Sequence, residues 1–210
     1  MRDSFHDTVE TIFRYKAHRD NLIRRTVIAL IPTFAIYDSQ GFSEHFLHRA
    51  MAHLLLQLDK PSERTIGTIQ QCCAKSPSLT CTTAFIAIGH VSGAVGSEMK
   101  PFLDSIMHHI KLALQMRGYV RPLCRMRATN PCYSKKNAPS EEPIFQCIGM
   151  LASSVGPNLT KLLHDQLDLM FSCGLSEPLR SALVSIARHI PPLLRTIQGE
   201  EPWKSMAFGG

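Results

Sequence analysis

Seven cysteines and ten histidines in 210 residues are the side chains most able to bind metal or act as nucleophiles, so their spacing decides what chemistry is open. Five of the cysteines, Cys72, Cys73, Cys81, Cys124 and Cys132, crowd into two short stretches. A tetrahedral zinc site needs four converging ligands, usually delivered as paired C-x2–4-C knuckles. Here the neighbours are adjacent or eight apart, which builds no knuckle, and loop thiols are the expected outcome. Cys147 and Cys173 stand in apolar helical text and read as small buried hydrophobes. An odd count without a secretory signal argues against a disulfide framework and favours reduced thiols in the cytosol or nucleus.

The stretch "EHFLH" (Glu44 to His48) sets His45 and His48 three apart, close enough on one helical face to share a metal. The zincin arrangement H-E-x-x-H is not there, so a solvated, partly packed helix face is expected instead. Adjacent His108 and His109 point in different directions on a helix. "SEMK" (Ser97 to Lys100) imitates the S-x-x-K of serine acylases, but its S-D-N and K-T-G companions are missing; a turn between paired helices is expected. Arg117, Arg121, Arg125, Arg127, Lys135 and Lys136 form an acid-free run with Tyr119 and Tyr133 nearby. Such charges and rings suit phosphates and stacked bases, yet no recognition fold surrounds them, and a solvated loop is the expectation. No residue is assigned a catalytic, cofactor-binding or metal-binding role, and no cofactor is expected.

The elements that carry these residues are helical. Aromatics are 7% of the chain and charged residues 19%, and sustained period-two alternation is hard to find. Phe5, Val9, Ile12 and Phe13 keep one face after a cap at Asp3 or Ser4. A second helix follows Asp20, with Leu22, Ile23, Val27, Leu30, Ile31 and Phe34 along it and a kink expected at Pro32. A third runs from Ser39–Ser43 to Leu58. Later helices enter through Pro101, Pro157 and Pro178, the last capped by Ser176, with a stop at Gly174 and a bend at Pro191–Pro192. Asn158 reads as a helix start. The apolar stretch Thr26 to Tyr37 is too short to span a bilayer. Asp20 with Arg24 or Arg25 is expected to pair and orient neighbouring helices, with a surface contribution under ~1 kcal/mol.

A repeat organises these helices. "FIAIGHVSGAVG" (Phe85 to Gly96) returns sixty positions later as "FQCIGMLASSVG" (Phe145 to Gly156). Phe85 matches Phe145, Ile88 matches Ile148, and Gly89 and Gly96 match Gly149 and Gly156. Leu103 and Met107 then align with Leu163 and Leu167. Without the irregular text from Gly118 to Ser134 the period falls to roughly 43, within the range of about 40–47 for two-helix HEAT or armadillo units. Each such pair must stack on a neighbour to bury its apolar face.

Beyond the repeat, four runs carry a specific resemblance: "HRDNLIRRTVIALIPTFAIYD" (His18 to Asp38), "TAFIAIG" (Thr83 to Gly89), "KKNAPSEEPIFQCIGMLA" (Lys135 to Ala152) and "LLHDQLDLMFSCGLSEPLRSALVSIARHIPPLLRTIQ" (Leu162 to Gln198). They resemble the amino-terminal HEAT region of the target of rapamycin (TOR) serine/threonine kinases. The resemblance implies a scaffold segment that supports subunits such as raptor within TOR complexes, in the cytoplasm, the nucleus or peripherally on endomembranes. Nothing in the chain looks like a kinase glycine-rich loop, catalytic-loop aspartate or "DFG", so the chain itself is expected not to be an enzyme, with no small-molecule substrate and no nucleic-acid partner. A stand-alone HEAT adaptor, or a metal or nucleic-acid module built on the Cys- and Arg-rich insertions, are the alternatives.

The expected architecture is an all-α, HEAT/armadillo-like solenoid of about four helix pairs interrupted by two irregular loops. Helices occupy 1–60, 83–117 and 135–198; 61–82 is an irregular insertion, 118–134 an irregular basic one, and 199–210 a tail foreign to the family. The insertions and tail read as products of a retained intron or misplaced exon boundary. Net charge of +6 permits an acidic partner without requiring one.

Overall fold

The computed structural model describes residues 2–59, 79–126 and 141–199, with side chains over 4–59, 80–115 and 141–199. Its elements are α1 (Arg2–Arg14), α2 (Asn21–Tyr37), α3 (Ser39–His45), α4 (Leu47–Asp59), α5 (Leu79–Val95), α6 (Leu103–Met126), α7 (Glu142–Val155), α8 (Thr160–His164), α9 (Leu167–Ser172), α10 (Glu177–His189) and α11 (Pro191–Gly199). Short 3-10 turns occupy Tyr15–Ala17, Gly96–Phe102 and Gly156–Leu159. Among the described residues there is no strand. The chain is an all-α solenoid.

Local chemistry sets the ends. The Asp20 carboxylate accepts from the Leu22 N–H at 2.8 Å and opens α2. Asp38 ends α2 and caps α3 through the Gly41 N–H at 2.9 Å. Ser176 accepts from Leu179 to open α10, and Gly174, at φ 83°, supplies the left-handed residue that stops α9. Ser176 acts as the sequence predicts; Asp20 stands where the second helix is expected to begin, and its carboxylate caps that helix. The start of α1 at Arg2 lies ahead of the expected caps at Asp3 or Ser4.

The helices form two layers. α2, α5, α7 and α10 lie side by side in one; α4, α6, α8–α9 and α11 lie side by side in the other. Each layer-one helix is followed in the chain by its layer-two partner, giving four pairs, with α1 added beside α4 through Glu10 and Phe13 against Arg49. One continuous apolar core runs between the layers. Phe85, Ile88, Phe145 and Ile148 are at most 2% exposed, and Met99, Leu103, Leu159 and Leu163 are buried behind them.

The sixty-residue repeat is physical. Residues 101–110 and 161–170 show the same succession of buried, half-buried and exposed positions. Gly96 and Gly156 both take positive φ, 57° and 40°, and each opens a 3-10 turn into the second helix of its pair. A Cβ is strained in that conformation, so the two glycines match because the two turns match. Gln166 of the later unit reaches back to the earlier one, donating from Nε2 to the Met107 carbonyl at 3.0 Å.

Three details depart from the sequence reading. The expected single helix from Ser39 to Leu58 breaks at Phe46, whose φ of −122° separates α3 from α4. Backbone bonds Phe46 N to Phe42 O and Ala50 N to Phe46 O continue across the break, while the Phe46 ring is held among Phe5, Phe13 and Phe42. α5 begins at Leu79, inside the stretch expected to be irregular to 82, because Cys81 continues its apolar side and packs on the core. The α6 backbone runs to Met126, past the expected end at 117. Gly118 and Pro122 signal a stop, but proline removes only one N–H and Leu123, Arg125 and Met126 are good helix formers. α2 likewise passes through the buried Pro32 without ending.

Candidate functional site

The residues with chemical potential are scattered by the fold. His45 closes α3 with its side chain 61% exposed, whereas His48 opens α4 and packs against Phe102, ring centroids 5.4 Å apart. The two rings meet different elements, His45 beside His6 of α1 and His48 beside Phe102 of the turn before α6. His108 is exposed, while His109 lies 3.5 Å from Asp59 Oδ1 and ties α6 to the end of α4. Among the described residues no three His, Cys, Asp or Glu side chains converge as a metal site. Ser97 to Lys100 form part of the 3-10 turn between α5 and α6, as the motif's missing companions predicted. Asp20 serves as a cap, and Arg24 donates from Nη1 to the His18 and Arg19 carbonyls at 2.8 Å each, so both act on the backbone where α2 begins. Cys72, Cys73 and Cys132 and the side chains of Cys124 and of the basic run lie outside the described residues.

Cys147 and Cys173 are buried, as expected. Burial pushes the Cys147 thiol up to about 12, with the adjacent Gly89 backbone acting weakly in the opposite direction. A thiol held neutral in this way is a packing group rather than a nucleophile. It lies at a close seam between α5 and α7. A Cβ on Gly89 would stand 2.8 Å from Met150 Sδ and 3.3 Å from Cys147 Cα, whereas on Gly149 it would stand 3.7 Å from Ala182 Cα. Glycine at 89 thus lets α7 approach α5 more closely than an added Cβ would allow without a shift. The next seam is fastened differently, by Ser185 Oγ donating to the Gly149 carbonyl at 2.8 Å.

What remains is a surface. From Thr26 onward α2 has no Asp, Glu, Lys or Arg; neither does α5, nor α7 after Glu142. In the other layer, α6 carries Asp104 and Lys111, and α8–α9 carry Lys161 and Asp168, all exposed. Within layer one, α10 carries exposed Glu177, Arg180 and Arg188, whereas α2 beyond Arg25, α5 and α7 after Glu142 present a neutral outer face. On it Ile36 and Tyr37 are 66% and 75% exposed. A recess of about 410 Å³ opens there, lined by Ala35, Ile36, Gly89, His90, Gly93 and Met150 among others. A second, of about 440 Å³, adjoins it through the shared residues Ser39 and Ala94 and extends to Glu44 and Glu98. Sequence patterning could not find this groove, because its walls come from three helices far apart in the chain. The only signal available was the missing charge on α5. The groove is concave, and Ser39, His90, Ser153, Glu44 and Glu98 stand in it beside its apolar and small residues.

No family model matches the chain. Curated relatives do. It is 32% identical over 198 residues to the serine/threonine-protein kinase tor1 of Schizosaccharomyces pombe and 32% identical over 199 residues to the serine/threonine-protein kinase TOR of Oryza sativa subsp. japonica. It is 30% identical over 198 residues to the serine/threonine-protein kinase TOR of Arabidopsis thaliana. Each match covers 94% of this chain, but the chain spans only about 7% of the length of the first two relatives and 6% of the third.

Proposed function

Because the chain is a TOR-like segment, homologous to one short part of those serine/threonine kinases, we propose that it serves as a non-catalytic scaffold for TOR complexes. Its pairs are HEAT-type units, and its work is geometric: they hold a binding face at fixed distance and orientation for protein subunits of the complex, raptor-like ones among them. The observation that carries this reading is the neutral outer face of α2, α5 and α7, mounted on a ladder whose other layer is charged. A surface cleared of charge costs little to desolvate, which is what a protein–protein contact core requires. The site of action is the cytoplasm, or endomembranes reached through the complex.

The test has two arms. Incubated with ATP and a protein substrate, the purified chain transfers no phosphate. Tagged and expressed in cells that contain the TOR complexes, it co-purifies with raptor-like subunits. Phosphate transfer by the chain, or a tagged chain that brings down none of these subunits, refutes the reading.

A further inference from the structure

We propose that the groove across α2, α3, α5 and α7 receives a partner-protein segment in which an apolar side chain is followed closely by a lysine or arginine. The proposal rests on the scaffold reading and adds the chemistry of the occupant. Two halves of one groove support it. The half lined by Ile36, Gly93 and Met150 offers apolar and small side chains beside Ser39, His90 and Ser153, with no carboxylate, lysine or arginine among them, so an apolar side chain finds contact there and a cation finds no counter-charge. The other half ends in Glu44 and Glu98.

That end is acidic in a chain of net charge +6. Glu44 is steadied by Gln40 Nε2 at 3.1 Å and lies 4.0 Å from His45 Nε2. Glu98 makes no ion pair among the described residues, although exposed Lys100 stands two positions away on the same turn. Both carboxylates are therefore available to an incoming cation at the groove's edge. The same charges repel phosphate, which disfavours nucleic acid or an anionic lipid as the occupant.

The probe is a pair of fluorescent fifteen-residue peptides, an Ala/Gln helix bearing one Leu and one Met, with two Arg on the following turn in one and two Glu in its twin. Binding to the intact chain is read by anisotropy. The Arg peptide is expected to bind at least fivefold tighter than the Glu twin at low salt, and the gap narrows as salt rises. The double variant Glu44→Gln, Glu98→Gln abolishes the preference. Gly93→Trp is expected to abolish binding of the Arg peptide, since a Cβ built there meets nothing within 4 Å and the indole beyond it occupies the recess; unchanged circular dichroism confirms that this variant folds.

Equal affinity for the twins overturns the proposal, as does an Arg peptide that binds Gly93→Trp normally. A chain that dimerises through the groove, with the dimer broken by Gly93→Trp, also overturns it and makes a second copy the occupant. The scaffold reading is scored separately. If raptor-like subunits co-purify equally with the unmodified chain and with Gly93→Trp, the groove proposal fails and the scaffold stands. If the Arg peptide binds but no subunit co-purifies, the scaffold fails and the groove stands.

Discussion

Gly89 and Gly149 occupy matched positions in successive repeats, and alanine should move stability in opposite directions at the two. Replacing glycine by alanine within a helix stabilises it by about 1 kcal/mol, because the unfolded chain loses freedom. At Gly149 the added methyl meets Ala182 Cα and Ser185 Cβ at 3.7 Å, an ordinary contact, so most of that gain survives. At Gly89 it would meet Met150 Sδ at 2.8 Å and Cys147 Cα at 3.3 Å. The thioether can swing aside; the Cα cannot move without shifting α7. Overpacking of this kind costs about 1–3 kcal/mol, which cancels or exceeds the gain. Gly149→Ala is therefore expected to stabilise the chain by about 0.5–1 kcal/mol, and Gly89→Ala to leave it unchanged or destabilise it by up to about 2 kcal/mol. Urea titration of both variants, followed by far-ultraviolet circular dichroism, measures the difference. Equal upward shifts, or a Gly89→Ala more stable than Gly149→Ala, would refute the close approach of α5 and α7.

Other consequences are open to direct measurement. Arg49 donates to Glu10 at 2.9 Å and lies over the rings of Phe13 and Phe46, and this bond, with the charge of Arg49, holds the Glu10 carboxyl below its usual 4.5. A lowered carboxyl stabilises the fold above its unfolded value and stops doing so as the pH falls through the folded one. Amide exchange in α1 should accelerate below pH 4.5, and Glu10→Gln should remove most of that dependence. Cys147, held up near 12 against an ordinary 9.0, has the reverse sign: above pH 9 the unfolded chain ionises while the folded one keeps its proton, so stability declines. Native Cys147 should also resist iodoacetamide until denaturant is added, by mass spectrometry of the labelled peptide. Gln166→Ala should cost about 1–3 kcal/mol by removing the bond to Met107 and leaving a hole. Gln166→Leu should cost less, since the buried Oε1 has no partner and the matched position in the preceding repeat is Ile106; the two urea midpoints give the comparison.

The repeat was readable because its signal is redundant. Phe85 and Phe145, the paired glycines and the following leucines all demand the same two-helix unit, so local pattern and stacking agree. Ser176 was readable as a cap because its side chain acts three residues away; Asp20 marked the start of α2, but its cap role was masked by the arginines four and five positions on. Phe46 was not readable as a break, since a single helix from Ser39 to Leu58 satisfies the same periodicity and only burial among Phe5, Phe13 and Phe42 separates the halves. Leu22 joins the apolar positions of α2 in the sequence yet is 65% exposed. The groove was beyond reach for a plainer reason: Ile36, Gly93 and Met150 meet only after three pairs have stacked.

The unequal seams along layer one have a mechanical consequence. Where α7 presses on Gly89 a methyl does not fit without a shift; where α10 rests on Gly149 a methyl fits at ordinary contact distance and the Ser185 bond fastens the joint, so this is the joint expected to give first. A slight tilt at the looser joint swings everything beyond it, as a lever arm turns a small angle into a long arc. Whatever grips the α10 end should therefore find it compliant, while the groove beside the tighter joint keeps its shape under load.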